Sequence, residues 1–416
     1  RLILIWNMCL QSTRGDNRSK MRVLSVTAQK PCSTGSGVYL TEVVRSLAKM
    51  GVSQAVVAGV TREDRVDMPE GVTVYPVYFS SEKLPYPVVG MSDDMPYTST
   101  RYRDMTEEMA GQFKAAFLEV LDEAIEKENP DIILCHHLYY LTALIRAHYP
   151  AKKVYGFCHN TDLRQMESIL FERNFIRQEI PKLDRIFALQ EAQKEKIKKI
   201  YPVSEKQMTV IGTGYNSEVF KKTGIKLSRK DGKIRMIFAG KITQKKGVKS
   251  LLRALNLLDY EKEKIQLILA GGAGNLVEYE EIKELADGCR YPVVFAGCVT
   301  QSRLAELYND CDIFVLPSMY EGLPLTVIES LACGDRVVMT KLEGIAEWLA
   351  DMVPDADIRY VLPPGMKGTD EPLEEELPAF ESRLAEALRE AIEEKDTKEC
   401  DVSRISWQKI AREVIR

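Results

Sequence analysis

From Met21 onward the chain alternates short β-branched and aliphatic runs with longer stretches in which apolar positions recur every three or four residues. RVLSVT, from Arg22, precedes a helical stretch near Tyr39 to Met50, and QAVVAG and VTVYPV follow as strands. A long helix is predicted near Met105 to Lys127, where Phe113, Ala116, Phe117 and Val120 recur at helical spacing. DIILC, KVYGF, RIFAL and MTVIG are further short apolar runs. A second series then begins: IRMIFAG, LILAGG, VVFAG, DIFVLPS and DRVVM, again with helices between. Strand–helix alternation of this kind predicts a parallel sheet with helical crossovers. Two successive doubly wound α/β units fit the pattern better than one very wide sheet.

The predicted division follows the same pattern. Residues 1–20 form an upstream extension, 21–212 a first doubly wound α/β domain, 213–400 a second, and 401–416 a final helix. The boundary lies in the glycine- and charge-rich segment Gly212 to Lys233, which has no sustained periodicity. The last helix carries Ile405, Ile410, Val414 and Trp407 largely on one side, so it must dock on something. TDEPLEEELP, from Thr369, reads as a solvated acidic loop.

Length and charge narrow the field. The 416 residues suffice for two or three domains, and the 57 Lys+Arg against 61 Asp+Glu leave a net charge of -4, which disfavours a nucleic-acid partner. A 45% hydrophobic content is that of a folded chain. Nine cysteines, with no Cys-x-x-Cys pair and several inside apolar runs, read as free thiols in a reducing cytoplasm, and four histidines weaken a metal site. LILIWNMCL is too short to span a bilayer and lacks a following small-residue cleavage pattern.

In open α/β sheets ligands bind beyond the carboxyl ends of the strands. Five places there are unusual. At GSGVY, Gly35 and Gly37 remove side chains where a helix opens, so backbone N–H groups could approach a phosphate; a plain helix-entry turn accounts for them equally well. In AGKITQKKG, Lys241, Lys245 and Lys246 crowd a helix N-terminus against its macrodipole, a conflict that a bound anion resolves. In DIFVLPSMYEGLPLTVIESLACGDRVVMT, Pro324 fits the first helical position and Gly334 the C′ position. Leu325, Ile328, Leu331 and Ala332 turn that helix onto the sheet, so its orphan N–H groups near Gly322 to Thr326 point into the cleft. Glu321 and Glu329, eight residues apart, can face one ligand from different depths. YGFCHNTDLRQ places His159 after a strand, with Asp162, Arg164 and Gln165 on the same wall. LCHHLYYLT places His136, His137, Tyr139 and Tyr140 at another strand end, where the rings could meet a ligand or could simply pack.

SMYEGLPLTVIESLACGDRVV, with its Glu-x7-Glu spacing, resembles the motif region of the retaining GT-B glycosyltransferases of family 4. The resemblance extends back through FAGKITQKKGVKSLLRAL, LILAGGAG and FAGCVTQSRLAELYNDCD, and forward to SWQKIAREV. It implies a GT-B fold, two Rossmann-like domains facing across a cleft, with the acceptor on the first domain and a nucleotide-sugar donor, most simply a UDP-sugar, on the second. The last helix would cross back to the first domain.

By the same resemblance Lys241 and Lys246 neutralise the donor diphosphate, with Lys241 where the family usually has Arg. Glu321 would bind hydroxyls of the transferred sugar and stabilise the reacting centre, and Glu329 the ribose. Backbone near Cys298 and Val299 would meet the base. Gly35, Gly37, Gly322, Leu325 and Thr326 complete the donor side; His159 would stand beside the donor sugar, and His137, Tyr139, Asp162 and Arg164 on the acceptor side. IGTGYN resembles the family hinge with Thr213 and Asn216 replacing its Asn and Asp.

The function expected is therefore retaining, metal-independent transfer of a sugar from a nucleotide-diphosphate sugar to a small-molecule, glycan or lipid-linked hydroxyl, with no cofactor required. The alternatives are a catalytically silent sugar-nucleotide-binding or scaffold protein and another GT-B enzyme such as a sugar-nucleotide epimerase. MSDDMPYTSTRY reads as an acceptor-side loop. The helix Glu191 to Tyr201 carries Lys194, Lys196, Lys198 and Lys199, a solvated face in preference to a weak contact with anionic lipid.

Overall fold

Continuous apolar runs become two all-parallel sheets because their interior strands are covered by helices on both sides. A computed structural model describes residues 21–31, 33–93, 95–368, 371–394 and 400–416. The extension 1–20, Cys9, Cys32, Asp94 and the start of the acidic loop lie outside the described residues.

The first sheet has seven strands: β1 (Arg22–Thr27), β2 (Ser53–Val60), β3 (Thr73–Tyr78), β4 (Ile132–His136), β5 (Lys153–Phe157), β6 (Arg185–Ala188) and β7 (Met208–Val210). Their spatial order is β3-β2-β1-β4-β5-β6-β7. The second sheet has six: β8 (Ile234–Ala239), β9 (Ile265–Ala270), β10 (Val293–Gly297), β11 (Ile313–Leu316), β12 (Arg336–Thr340) and β13 (Ile358–Val361), ordered β10-β9-β8-β11-β12-β13. Both have the doubly wound order, which reverses direction beside its first strand, at β1/β4 and β8/β11. Val23 pairs with Ile132 in the first sheet and Met236 with Ile313 in the second.

The helices that matter for the site are α1 (Gly35–Lys49), α2 (Glu107–Glu128), α3 (Tyr140–His148), α4 (Thr161–Ser168), α5 (Glu191–Ile200), α6 (Val248–Asn256), α7 (Leu325–Ala332) and α8 (Trp407–Val414). Helix α8 buries Trp407, Ile410, Ala411 and Val414 against α1 of the first domain. The Trp407 ring stands edge-on to Tyr39 with centroids 4.8 Å apart, and Arg185 Nη1 donates to the Glu413 carbonyl at 2.9 Å. The strand-poor connection after β7 is clamped by α1 and α8. Tyr39 donates its hydroxyl to the Gly212 carbonyl at 3.0 Å, while a Cβ on Gly214 would fall 2.4 Å from the Trp407 backbone nitrogen, so only glycine fits there.

Helix α7 begins at Leu325, with Pro324 in extended geometry as its cap, one residue later than Pro at the first helical position implies. Its end matches expectation. Gly334 has φ +85°, its N–H reaches the Leu331 carbonyl and the Asp335 N–H the Ser330 carbonyl, a Schellman closure. The seven described cysteines are free, four of them buried. On α5, Lys194 pairs with Glu191, Lys196 with Glu343 and Lys198 with Glu195, so these three lysines are matched by the protein's own carboxylates. Among the described residues no helix is long and apolar enough to cross a membrane.

Candidate functional site

The turns after β8 and β11 lie side by side because β8 and β11 are neighbours at the switch point. Gly247 (φ +74°) caps α6, and a Cβ there would fall 2.0 Å from the Pro317 carbonyl oxygen, so glycine lets the lysine turn press against the α7 approach. The Met319 N–H donates to the Lys245 carbonyl at 2.9 Å, fixing the two loops. Lys246 Nζ is thereby brought 2.6 Å from Glu321 Oε1, a cation and a carboxylate 75 residues apart paired at the entry of α7. Gly322, Leu325 and Thr326 are partly exposed beside them, and no side chain caps α7. Lys241 follows β8, and Val299 follows β10 in a partly exposed turn beside the exposed Cys298.

Glu329, one turn from the end of α7, is buried. Loss of water raises its carboxyl pKa to about 8, with Glu42 of α1 adding like-charge repulsion. Thus Glu329 is mostly protonated near neutrality. Glu42 is held by Arg45 at 2.8 Å.

The first domain meets this edge through the turn after β5. Asn160, at φ +72°, donates from Nδ2 to the Glu321 carbonyl at 2.9 Å, and its own carbonyl accepts from the Tyr320 hydroxyl at 2.9 Å. A Cβ on Gly322 would lie 3.2 Å from the His159 carbonyl, so this glycine permits the close approach of the two loops. Asn160 and Tyr320 were not foreseen. An Asn before a helix reads as a cap, and nothing local announces a partner 161 residues away.

His159 is nearly buried, within 5.2 Å of the Tyr39 ring and 4.9 Å of His137, centroid to centroid. Its Nε2 lies 3.0 Å from His136 Nδ1, and the two rings stack. Burial pushes all three imidazoles toward the neutral form, His136 to about 3 and His159 well below the ordinary value, with repulsion from the neighbouring imidazoles adding to it for these two; at His137 the Asp162 carboxylate opposes the shift.

Three expected acceptor-side residues are placed differently from a cleft lining. Asp162 is fully buried beneath the turn, accepting from the backbone N–H groups of Leu138 (2.7 Å), His159 (3.2 Å) and Leu163 (3.2 Å). Its carboxylate satisfies helix-end and turn donors, so it positions His159 from below. Tyr139 is buried with its ring edge-on to Tyr102 at 4.9 Å, inside the core of the first domain. His137 is buried, with φ +76° and Nε2 enclosed. Arg164 stays partly exposed and reaches the Met91 carbonyl at 3.4 Å. Asp93 of the MSDDMPYTSTRY loop pairs with Arg103 at 2.7 Å. Gly35 is exposed at the mouth of α1, whereas the Gly37 N–H is taken by the Thr34 hydroxyl at 3.1 Å, a local cap that a phosphate would have to displace.

Comparison with known proteins bears on this geometry. Residues 33–219 match the model of glycosyltransferase family 4, and residues 220–367 that of the group 1 glycosyl transferases. An uncharacterised glycosyltransferase of Methanocaldococcus jannaschii is 29% identical over 172 residues, 39% of this chain and 44% of that protein. The chain spans about half the length of the first curated relatives it matches, 44% and 61%. Sucrose-phosphate synthase from Thermosynechococcus elongatus superposes with a TM-score of 0.67 at 16% identity, covering 95% of this chain and 97% of that one. The HepE protein of Anabaena, solved with UDP and glucose, gives 0.61 at 14% identity over 95% of this chain and 98% of that one.

Proposed function

The chain belongs to glycosyltransferase family 4 and has its two-domain GT-B fold; from that premise we propose that it transfers a sugar from a nucleotide-diphosphate sugar to an acceptor hydroxyl, retaining the anomeric configuration and using no metal ion.

The observation that carries this reading is the Lys246–Glu321 pair at the open N-terminus of α7. A diphosphate sugar offers an anion to the cation and hydroxyls to the carboxylate, so it satisfies each partner while the helix N–H groups and Lys241 share the phosphate charge. In the proposed reaction Lys246 and Lys241 stabilise the departing diphosphate and Glu321 holds the sugar hydroxyls. Glu329 meets the ribose, backbone at Val299 meets the base, and His159 stands beside the sugar. The acceptor hydroxyl attacks on the face the diphosphate leaves, and a phosphate oxygen takes its proton, so no protein nucleophile is needed. A UDP-sugar is the donor we favour; HepE was solved with UDP and glucose. The acceptor, a small molecule, a glycan or a lipid-linked hydroxyl, enters past Arg164.

A panel of nucleotide sugars with candidate hydroxyl acceptors tests this. Acceptor-dependent release of nucleoside diphosphate is expected, unchanged by a chelator, with a product whose anomeric configuration by NMR matches the donor. An inverted product or a chelator-sensitive rate would overturn the corresponding part. Donor binding without release for any acceptor would favour a silent sugar-nucleotide-binding protein.

A further inference from the structure

His136 ends β4 and has no place in the reading above, yet it is the one side chain hydrogen-bonded to the His159 ring, Nδ1 to Nε2 at 3.0 Å, among the described residues. A hydrogen bond between two neutral imidazoles needs one donor and one acceptor, so it admits two arrangements. The other nitrogen of His136, Nε2, is buried without a partner. With its proton on Nε2, His136 would enclose an N–H with no acceptor, which native interiors avoid more strictly than an unfilled acceptor lone pair. With its proton on Nδ1, the only buried unpaired atom is that lone pair.

We infer that His136 is a positioning residue whose Nδ1–H donates to His159 Nε2, holding His159 in the Nδ1–H tautomer. The ring of His159 is further fixed between Tyr39, whose centroid lies 5.2 Å away edge-on, and the stacked His136, which itself stacks on Phe157 at 4.8 Å. His159 Nδ1 is not among the enclosed unpartnered atoms, so it is the nitrogen left for a ligand, and as Nδ1–H it is a donor. It therefore offers a hydrogen bond to an oxygen and cannot accept a proton from a hydroxyl at that nitrogen. The role in catalysis rests on the sugar-transfer reading; the tautomer does not.

The chain has four histidines, so selective ¹⁵N-histidine labelling and long-range ¹H–¹⁵N correlation on the full chain resolve each ring, with His159→Gln for assignment. His159 should give a pyrrole-like Nδ1 and a pyridine-like Nε2 at pH 7; the opposite pattern overturns the inference. His136→Phe keeps the stacking ring and removes the donor, and should let the Nε2–H form of His159 appear. His136→Asn, whose amide can donate from near the Nδ1 position, should restore the native pattern. A His159 spectrum unchanged in His136→Phe would overturn the lock. With a donor and acceptor, kcat should fall roughly tenfold in His136→Phe, about one hydrogen bond, with KM for the donor nearly unchanged and kcat recovered in His136→Asn. A protein with the expected tautomer but no transfer activity would refute the sugar-transfer reading and leave the lock standing.

Discussion

Asn160 and Glu321 join the two domains at the site: the Asn160 amide donates to the Glu321 carbonyl at 2.9 Å, while the Glu321 carboxylate, on the same residue, is held by Lys246 at 2.6 Å. The backbone of one residue thus carries the interdomain contact, and its side chain faces the second domain's own cation.

The Asn160 bond can be separated from its backbone geometry. Asn160→Gly keeps φ +72° accessible and loses only the side chain, a cost of about 1 kcal/mol for one hydrogen bond. Asn160→Ala loses the same bond but keeps a Cβ at this positive φ, strain of roughly 1–3 kcal/mol that the Gly variant is spared. Denaturant titration should rank both wild type and the Gly variant above the Ala variant, and solution scattering should show a wider cleft in the Gly variant. Equal stability of the two variants would mean that the backbone is not strained.

The carboxylate of Glu321 competes with any anion for Lys246. Calorimetry with free nucleoside diphosphate should show weaker binding in Lys246→Ala and tighter binding in Glu321→Gln, by several-fold or more, since the pair is partly buried and its loss frees the lysine for the anion. Turnover with the sugar donor should fall in both. Weaker nucleotide binding in Glu321→Gln would place that carboxylate on the nucleotide itself.

Glu329 makes stability depend on pH in a defined direction. Its folded pKa of about 8 lies above the unfolded value near 4.5, so between them the native state binds more protons than the unfolded one. Stability from this group is therefore full below about pH 4.5 and declines as pH rises to about 8. Glu329→Gln removes that decline, so its melting temperature relative to wild type should climb from pH 5 to pH 8. A difference that stayed flat over this range would show Glu329 ionised throughout.

Trp407 is the anchor of the last helix on the first domain. Trp407→Ala should cost about 3–5 kcal/mol, as for other buried aromatic truncations, and raise hydrogen exchange in α1. Gly214→Ala should have the same signature, because its Cβ would strike the Trp407 backbone nitrogen at 2.4 Å. Unchanged exchange in α1 in both would mean that α1 does not depend on this contact.

The interior strands were legible because burial on both faces makes each a short, mostly apolar run: RVLSVT and KVYGF appear within a residue of their final bounds. Gly334 was legible for a local reason, the need for a positive φ after a helix. What escaped was non-local. Asp162 looked like an acid lining a wall, but its partners are the N–H groups of Leu138 and His159, one of them 24 residues upstream. Tyr139 looked like a ring for a sugar until Tyr102, from a segment with no periodic pattern, covered it. His136 lay in a run of paired histidines and tyrosines whose alternation alone does not say which ring meets His159.

The docking of α8 on α1 also orders events during synthesis. Domains generally fold as they leave the ribosome, N-terminal first. Here Tyr39 and the face of α1 around it lack their cover until residues 407–414 have been made, long after the first sheet has emerged. The nascent first domain therefore carries an uncovered aromatic seam while the second is translated, a surface open to chaperones or to another nascent chain, and closure of that seam is a late step that waits for residues 407–414.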